Sequence, residues 1–377
     1  MSITKVTDAG LDRNRIVTPL IINGDMSVAQ RGTDINDAAH NQHCTDRFRF
    51  HKANTGELVM NLDQVTDVPT GQGFSSSLKL SVGTAESATA SNELVSIGQR
   101  IEAQNLQNLR FGTSSADNLT LCFWVKSSLT GTYSVLVFQQ DASSSPDRRY
   151  YSQPFTINVA DTWEKKTINI SGNQDDTIAN DNGIGLDVRI NLSAGSSLTS
   201  GSSDDWGSST NTAVGQTANF SGTSSATFFL TGFQLEIGEF DSTTIPSFPF
   251  ESFTSNLTRC SRYYTEINQN GANGWRTFSG RVNGEADVEN IGITLPTFLR
   301  IGNPTVTKDS GAVAQAWDES GYHSTSAGGG TFSILTDSGD NTPYLNCKQN
   351  GFSGLTGGAA NYSIVTGSPC IAVDAEL

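Results

Sequence analysis

Apolar and polar side chains alternate in short runs along most of this chain, with the two-residue period of a β-strand. The clearest example is Asn118–Phe138, where two alternating runs flank a polar turn at Ser128–Gly131. The apolar positions of these runs are Leu121, Phe123, Val125, Tyr133, Val135 and Val137. Because a two-stranded hairpin is not stable alone, we predict that the two runs form a hairpin at the centre of a sandwich core.

About ten such runs lie between residues 20 and 236, at the spacing of an all-β sandwich. We therefore predict an N-terminal arm over residues 1–20, a β-sandwich over 21–250, a connector over 251–276 and a smaller C-terminal β-rich domain over 277–377. Within the connector, Leu257–Gln269 indicates a short helix that leads into a strand.

The N-terminal arm lacks periodicity and has no partner strand nearby in the sequence. Arg13 and Arg15 precede the apolar residues Ile16, Val17 and Leu20. Such a segment is ordered by docking onto another component, and we expect these five residues to supply the contacts.

Residues 193–226 are dominated by Ser, Gly and Thr, so we predict a long surface loop that buries little. Trp206 is the one large aromatic residue of its polar part. We interpret it as an anchor that pins the loop to the body, with stacking on a sugar as the alternative.

Composition supports an all-β fold and restricts the partners. Hydrophobic residues make up 36% of the chain and charged residues only 16%. The net charge of −15 argues against a nucleic-acid partner. No apolar run reaches the roughly 18 residues of a membrane-spanning helix, and the N-terminus lacks the pattern of a signal peptide. We therefore expect no membrane insertion, and synthesis in a cytosol.

Five cysteines are scattered along the chain without a CxxC motif. Their odd number and wide spacing argue against a disulfide framework. We expect buried thiols at Cys44, Cys122, Cys260, Cys347 and Cys370.

Catalytic and metal-binding motifs are weak. The sequence contains no GxSxG, HExxH or P-loop motif. His40, His43 and Cys44 suit zinc only if a fourth ligand is supplied from elsewhere, and we assign them to a surface loop. Asp175, Asp176 and Asp181 are weak candidates for binding Ca²⁺, with a solvated acidic turn preferred. We predict no catalytic residue, no metal and no cofactor.

Aromatic residues outside the strongest strand patterns are the candidates for stacking on sugars. Trp124 and Trp163 fall in well-patterned strands, so we assign both to the core. The remaining candidates for glycan binding are Tyr150, Tyr151, Trp206 and Trp275.

Six stretches that begin with LIINGDMSVAQRGT and end with VDAEL follow one another in a characteristic order. Together they resemble structural proteins of tailed bacteriophages, especially marine ones. The opening of these proteins is similar to LIINGDMSVAQRGT followed by CTDRFRFHKA. The stretches LTLCFWVKSSLTGTYSVLVF and FFLTGFQLEIGE are similar to the order of strands in the jelly-roll carbohydrate-binding modules of these proteins. Their domain junction and C-terminal ending are similar to FPFESFTSNLTRCSRYY and VDAEL.

The resemblance implies a non-enzymatic virion appendage, a tail fibre component with a jelly-roll sandwich and a distal β-domain. Proteins of this kind are generally homotrimers, and trimers convert weak binding into avidity. The implied partners are other virion proteins, through the N-terminal arm, and host surface polysaccharide. The implied location is the virion, assembled in the host cytoplasm.

Three alternatives remain open from the sequence. One is a purely structural head or collar fibre, or a decoration protein, without receptor binding. Another is a polysaccharide depolymerase, whose paired carboxylates no sequence pattern identifies. The third is a free carbohydrate-binding module of a secreted enzyme, which the absent signal peptide disfavours.

Overall fold

The regular secondary structure of the computed structural model is almost entirely β-strand, which confirms the predicted all-β class. No helix in the described part of the chain is long and apolar enough to cross a lipid bilayer. The described residues are 18–140, 149–207, 211–267, 275–283, 286–301, 304–308, 313–318, 321–325, 329–334, 344–356, 358–365 and 371–377.

The chain divides into two compact units, one over residues 1–252 with Leu377 and one over residues 253–376. A 3₁₀ helix (Ala103–Leu109) lies in the first unit. The strands of the first unit are β1 (Asp34–Ile35), β2 (Arg49–Ala53), β3 (Val59–Val65), β4 (Ser77–Thr84), β5 (Leu94–Glu102), β6 (Leu119–Ser127), β7 (Gly131–Gln139), β8 (Arg149–Ile157), β9 (Glu164–Ile170), β10 (Ile184–Ala194), β11 (Trp206–Gly207) and β12 (Thr227–Ile237).

These strands form two six-stranded antiparallel sheets, which make up the predicted jelly-roll β-sandwich. Sheet A has the order β1-β3-β4-β12-β6-β9, and sheet B has the order β11-β8-β7-β10-β5-β2. One hydrophobic core receives side chains from both sheets, including Phe123 of β6 and Tyr133 of β7, neither of which is exposed at all. Alternate side chains of each longer strand face this core, and the other row faces away from it. In β5, β7, β10 and β12 the row that faces away is also largely buried.

The predicted hairpin of β6 and β7 is wrong, because the two strands belong to different sheets. Strand β6 pairs with β12 and β9, whereas β7 pairs with β10 and β8. The short connection between them leads from one sheet to the other, and beside it the Ser127 hydroxyl lies 3.1 Å from the Tyr133 hydroxyl. The apolar rows of β6 and β7 therefore form opposite walls of the core. The alternating pattern is as compatible with this arrangement as with a hairpin.

Leu20 lies in the core of the first unit and is 7% exposed, so its side chain is not available to contact a partner. This corrects its assignment to an attachment site. Two residues further on, the Gln99 side chain forms hydrogen bonds with the backbone of Ile22, at 2.8 Å to the amide and 2.7 Å to the carbonyl. Arg13, Arg15 and the two apolar residues that follow them, Ile16 and Val17, lie outside the described residues.

Residues 193–226 bury more than we predicted. The apolar side chain of Ala213 is fully buried. Asn191 on the outer row of β10 donates a hydrogen bond of 2.8 Å to the Thr212 carbonyl. The Val214 amide donates to the Ser152 hydroxyl at 2.9 Å. The segment covers part of sheet B because the outer row of this sheet offers polar partners for its backbone.

The second unit begins with a helix that leads into a strand, as predicted. Its helix is α1 (Phe253–Ser261), and its strands are β13 (Tyr264–Ile267), β14 (Trp275–Asn283), β15 (Asp287–Thr294), β16 (Thr305–Lys308), β17 (Val313–Asp318), β18 (Gly321–Ser324), β19 (Phe332–Ile334), β20 (Tyr344–Gln349), β21 (Gly358–Val365) and β22 (Ile371–Asp374). A three-stranded sheet has the order β13-β22-β16, and a seven-stranded sheet has the order β18-β17-β21-β14-β15-β20-β19. Both contribute to a separate, smaller core.

Cysteines Cys44, Cys122, Cys260 and Cys347 are buried thiols, as expected. Cys370 lies outside the described residues. Burial raises the pKa of the Cys347 thiol to about 12, so this side chain is uncharged and poorly reactive at neutral pH.

Replacing Phe123 by Ala should lower the free energy of unfolding of the first unit by about 3–5 kcal/mol, because the ring is fully buried between the sheets. Val159→Ala is the control, since Val159 is 54% exposed, and it should change stability by less than about 0.5 kcal/mol. Urea unfolding followed by tryptophan fluorescence measures both. Equal effects of the two substitutions would contradict the assignment of Phe123 to the core.

Candidate functional site

The outer face of sheet A carries large aromatic side chains. Trp124 of β6 is half-buried and points away from the core, because its neighbours Phe123 and Val125 occupy the inward row. Trp163, directly before β9, is also half-buried on this face and packs against Phe229 with 6.2 Å between ring centroids. The assignment of Trp124 and Trp163 to the core is therefore wrong.

Three phenylalanines extend this surface. Phe74, Phe248 and Phe250 form a cluster whose ring centroids are separated by 4.9–5.1 Å. The segment that carries Phe248 and Phe250 folds back over sheet A, where the Gln234 side chain donates a hydrogen bond of 3.2 Å to the Pro246 carbonyl. Phe250 remains 51% exposed.

Trp124 and the phenylalanine cluster line a hollow of about 370 Å³, which we call the aromatic groove. Polar side chains line it as well, including Gln72, Gln234 and Lys165. The lining residues include no Asp, Glu or His. Binding sites for small organic ligands commonly combine apolar walls with a few polar groups in this way.

Gly232 allows the rings of the aromatic groove to approach the sheet. It lies at a register irregularity of β12 and has a φ of +61°, a conformation that favours glycine. A Cβ at this position would lie 2.7 Å from Phe74 Cζ and 3.1 Å from Trp124 Cδ1. Any larger residue would push these two rings apart, so this glycine helps to define the groove.

A charged group holds Trp163 in place. The Asp67 carboxylate accepts a hydrogen bond of 3.1 Å from Trp163 Nε1 and forms a salt bridge with Lys126. The Lys126 ammonium lies 4.2 Å from the centroid of the Phe229 ring, a cation–π contact. Partial burial acts to raise the pKa of Asp67, but the hydrogen bonds from Lys126 and Trp163 outweigh it and lower this pKa. Asp67 is therefore ionised at neutral pH.

A second hollow of about 640 Å³, the edge cleft, lies between β8 of sheet B and β9, the edge strand of sheet A. Its lining includes Gln153, Thr167 and Asn169. Lys165 and Ser242 line both the edge cleft and the aromatic groove. The two hollows are thus neighbours that meet at the edge of sheet A.

Tyr151 and Trp206, two predicted glycan-binding residues, pack against each other with 5.5 Å between ring centroids. Tyr151 is fully buried, and its hydroxyl donates to the Asp204 carboxylate. Trp206 packs edge-on against Phe111 at 5.8 Å, and its Nε1 donates to the Ser171 carbonyl at 2.6 Å. Tyr151 has no surface to offer a ligand, and the contacts of Trp206 are those of a loop anchor.

Tyr150, a third predicted glycan-binding residue, is half-buried and stacks flat on Phe138, with ring centroids 4.6 Å apart and an interplanar angle of 5°. It lines a small hollow of about 210 Å³ together with Asp205 and Asn211. The fourth candidate, Trp275, is the first residue of β14, and its side chain lies outside the described residues.

The acidic segment near Asp175 is occupied by contacts within the protein. Asp176 is 4% exposed, and its carboxylate forms a salt bridge with Arg149. The Asp181 carboxylate accepts a hydrogen bond of 2.7 Å from the Gly183 amide. Within the described ranges, no group of three or more His, Cys, Asp or Glu side chains could hold a metal ion.

A buried cluster of charges lies on sheet B. The Asp187 carboxylate, which is 1% exposed, accepts hydrogen bonds from Arg49 at 2.8 Å, Arg100 at 3.2 Å and Arg189 at 2.9 Å. Burial alone would raise the pKa of Asp187, but the three guanidinium groups reverse this and hold it well below its usual range. The cluster is an internal structural element, because its carboxylate is already saturated with partners.

His51 lies beside this cluster, with its ring centroid 4.7 Å from that of His40. Burial, followed by the positive charges of Arg189 and Arg49, lowers the pKa of His51 to about 3. The imidazole is therefore neutral in the folded protein at any pH near neutrality.

The chain matches no protein-family model and no curated protein. Its fold has low similarity to solved structures. One is the enzymatically active domain of tailspike protein 4 of bacteriophage CBA120, at 14% identity and a TM-score of 0.32, covering 58% of this chain and 21% of that chain. Another is the CBM22-1 xylan-binding domain of Paenibacillus barcinonensis Xyn10C, at 14% identity and a TM-score of 0.29, covering 56% and 99%.

A third is the family 11 carbohydrate-binding module of Clostridium thermocellum, at 7% identity and a TM-score of 0.28, covering 55% of this chain and 96% of that chain. The matched part of this chain spans only about a fifth of the tailspike chain. TM-scores this low carry no information about the ligand or activity of this chain.

Replacing Trp206 by Ala should lower the free energy of unfolding of the first unit by about 2 kcal/mol, because it removes ring packing and one hydrogen bond. Trp206→Phe should lose less, since it keeps most of the ring contact. Thermal unfolding and glycan binding are measured on both variants. Weaker binding without a loss of stability would show that the ring contacts a ligand instead.

Acidification should destabilise the first unit partly through His51. In the unfolded chain this side chain takes up a proton near pH 6.5, whereas in the folded protein it does so only near pH 3. Between these values the unfolded state binds more protons, so the free energy of unfolding falls as the pH falls. His51→Gln should flatten this dependence in urea unfolding measured from about pH 6.5 to about pH 4. Parallel curves for the variant and the wild type would contradict the assignment.

Proposed function

We propose that this chain is a non-enzymatic, carbohydrate-binding component of a bacteriophage virion, of the tail fibre type, that binds host surface glycans in the aromatic groove. The single observation that carries the binding proposal is the groove itself. The exposed Phe250 ring and the half-buried Trp124 ring offer apolar surface to the CH groups of a sugar, and the polar side chains of the groove offer partners to its hydroxyl groups.

The geometry of the aromatic groove supports a site that exists before the ligand arrives. Gly232 leaves the space that lets Trp124 and Phe74 lie close to the sheet. Phe250 is braced by Phe74 and Phe248. Binding to such a site loses little side-chain entropy, which favours affinity for a flexible oligosaccharide.

Binding without chemistry is favoured over depolymerisation by one feature of the lining. Cleavage of a glycosidic bond commonly uses two carboxyl groups on either side of the bond. The aromatic groove is lined by no Asp or Glu. We therefore place no catalytic residue in it.

The virion location, with assembly in the host cytoplasm, rests on the sequence resemblance to phage structural proteins. Attachment through the N-terminal arm and assembly into a homotrimer belong to the same proposal. Three copies of a weak site on one fibre would bind a repetitive polysaccharide with high avidity.

Phe250→Ala and Trp124→Ala should each weaken binding to a glycan microarray of bacterial capsular and lipopolysaccharide fragments by about tenfold, equivalent to about 1.4 kcal/mol. Phe253→Ala is the matched control. Phe253 is 59% exposed, close to the 51% of Phe250, but it is not among the residues that line the groove. Its substitution should leave binding unchanged.

Two results would contradict the proposal. One is the absence of any glycan signal for the wild-type protein. The other is an equal loss of signal for Phe250→Ala and Phe253→Ala, which would show that exposed rings act without regard to the groove. The appearance of new reducing ends in bound glycans would favour a depolymerase.

A further inference from the structure

The lysines of the first unit differ in their ion pairing. Four of the lysines that the structure describes in this unit lie within ion-pair distance of a carboxylate. These pairs are Lys52 with Asp37, Lys79 with Asp63, Lys126 with Asp67 and Lys166 with Glu164. Over the same described ranges, Lys165 has no carboxylate partner. In a protein of net charge −15, a lysine without a carboxylate partner is unusual.

Lys165 occupies a central position with respect to the two hollows. It lies on β9 at the edge of sheet A and is exposed. Its register partner on β6 is Trp124, and directly opposed residues of antiparallel strands project from the same face about 5 Å apart. Lys165 also lines both the aromatic groove and the edge cleft. A sugar stacked on Trp124 would therefore place its substituents within reach of the Lys165 ammonium.

The other charged side chains that line the two hollows are Lys166, Asp204 and Asp241. Each already has a partner within the protein, namely Glu164 for Lys166, the Tyr151 hydroxyl for Asp204, and Thr243 and Thr244 for Asp241. Asp204 and Asp241 line the edge cleft only and keep their negative charges, since these partners are neutral. Lys165 is the one charged residue among the described residues that line the aromatic groove.

We infer that the ligand of the aromatic groove is an acidic polysaccharide, whose carboxylate or sulfate ester pairs with Lys165 while an adjoining sugar ring stacks on Trp124. This inference rests on the proposed function and names its class of ligand. A lysine ammonium is a strong partner for either anion, because charge-assisted hydrogen bonds are about twice as strong as neutral ones.

The overall negative charge of the protein is compatible with an acidic ligand. At physiological ionic strength, charges more than about 8 Å apart are largely screened, so the ligand responds mainly to charges near the hollows. The net negative charge then opposes non-specific adhesion to acidic polymers elsewhere on the surface.

The test compares binding to two matched pairs of polymers by biolayer interferometry. Polygalacturonate and its methyl ester share one backbone and differ in carboxylate charge, and dextran sulfate and dextran differ in sulfate charge. We expect the wild-type protein to bind at least one charged polymer about tenfold more tightly than its neutral counterpart. Which pair shows the difference distinguishes a uronate from a sulfate ester.

Substitutions separate the local charge from the total charge. Lys165→Gln should abolish the preference for the charged polymer, and Lys165→Arg should keep most of it. Lys79→Gln is the matched control, because it makes the same change in net charge on the same sheet face at a lysine paired with Asp63 at 3.4 Å. It should leave the preference unchanged.

Salt provides a second measurement. Raising the ionic strength from about 0.1 M to about 1 M shortens the Debye length from about 10 Å to about 3 Å. Binding of the wild type to the charged polymer should weaken over this range, and the binding that remains in Lys165→Gln should change little.

Equal binding of the charged and neutral members of both pairs, or binding to none of the four polymers, overturns the inference. An unchanged preference in Lys165→Gln also overturns it. If neutral glycans still bind on the microarray in a manner that depends on Phe250, the proposed function stands without the acidic ligand. If the microarray shows no glycan signal at all, the proposed function and the inference of an acidic ligand are both wrong.

Discussion

Burial of two apolar rows, one from each sheet, is the constraint on which the rest of the first unit depends. Each large side chain in these rows contributes about 1.5–3 kcal/mol when it leaves water. Because side chains alternate along a strand, the inward position of Phe123 obliges Trp124 to face outward. The candidate site is thus a consequence of the core, since the aromatic groove is built on the rows that the core excludes.

The outer faces of the two sheets differ in how far the rest of the chain covers them. On sheet B, contacts within the protein occupy many of the outward polar groups, through the three arginines around Asp187 and through the segment that covers Asn191 and Ser152. On sheet A, the returning segment with Phe248 and Phe250 covers the face only partly and leaves a hollow. The aromatic rings on the outer face of sheet A therefore keep an accessible surface beside this hollow.

Much of the fold could be predicted from the sequence, because its signals are local. The two-residue period identified the strands and the apolar rows, and scattered cysteines without a CxxC motif indicated buried thiols. The helix of Phe253–Ser261 followed by a strand was also predictable. Pairing of β6 with β7 was predicted wrongly, because a two-residue period is equally compatible with strands that share hydrogen bonds and strands that face each other across a core.

The candidate site depends on contacts between residues far apart in the chain, and no local pattern reports them. Trp124 and Trp206 are both isolated indoles in the sequence, yet one lines a groove and the other packs on Tyr151 and Phe111. The alternating pattern predicts which side chains share one face of a strand. Which face another segment covers, and which segment that is, depends on the free energy of the whole packed chain. The identity of the strands is therefore a local property, and the position of the exposed aromatic rings is a global one.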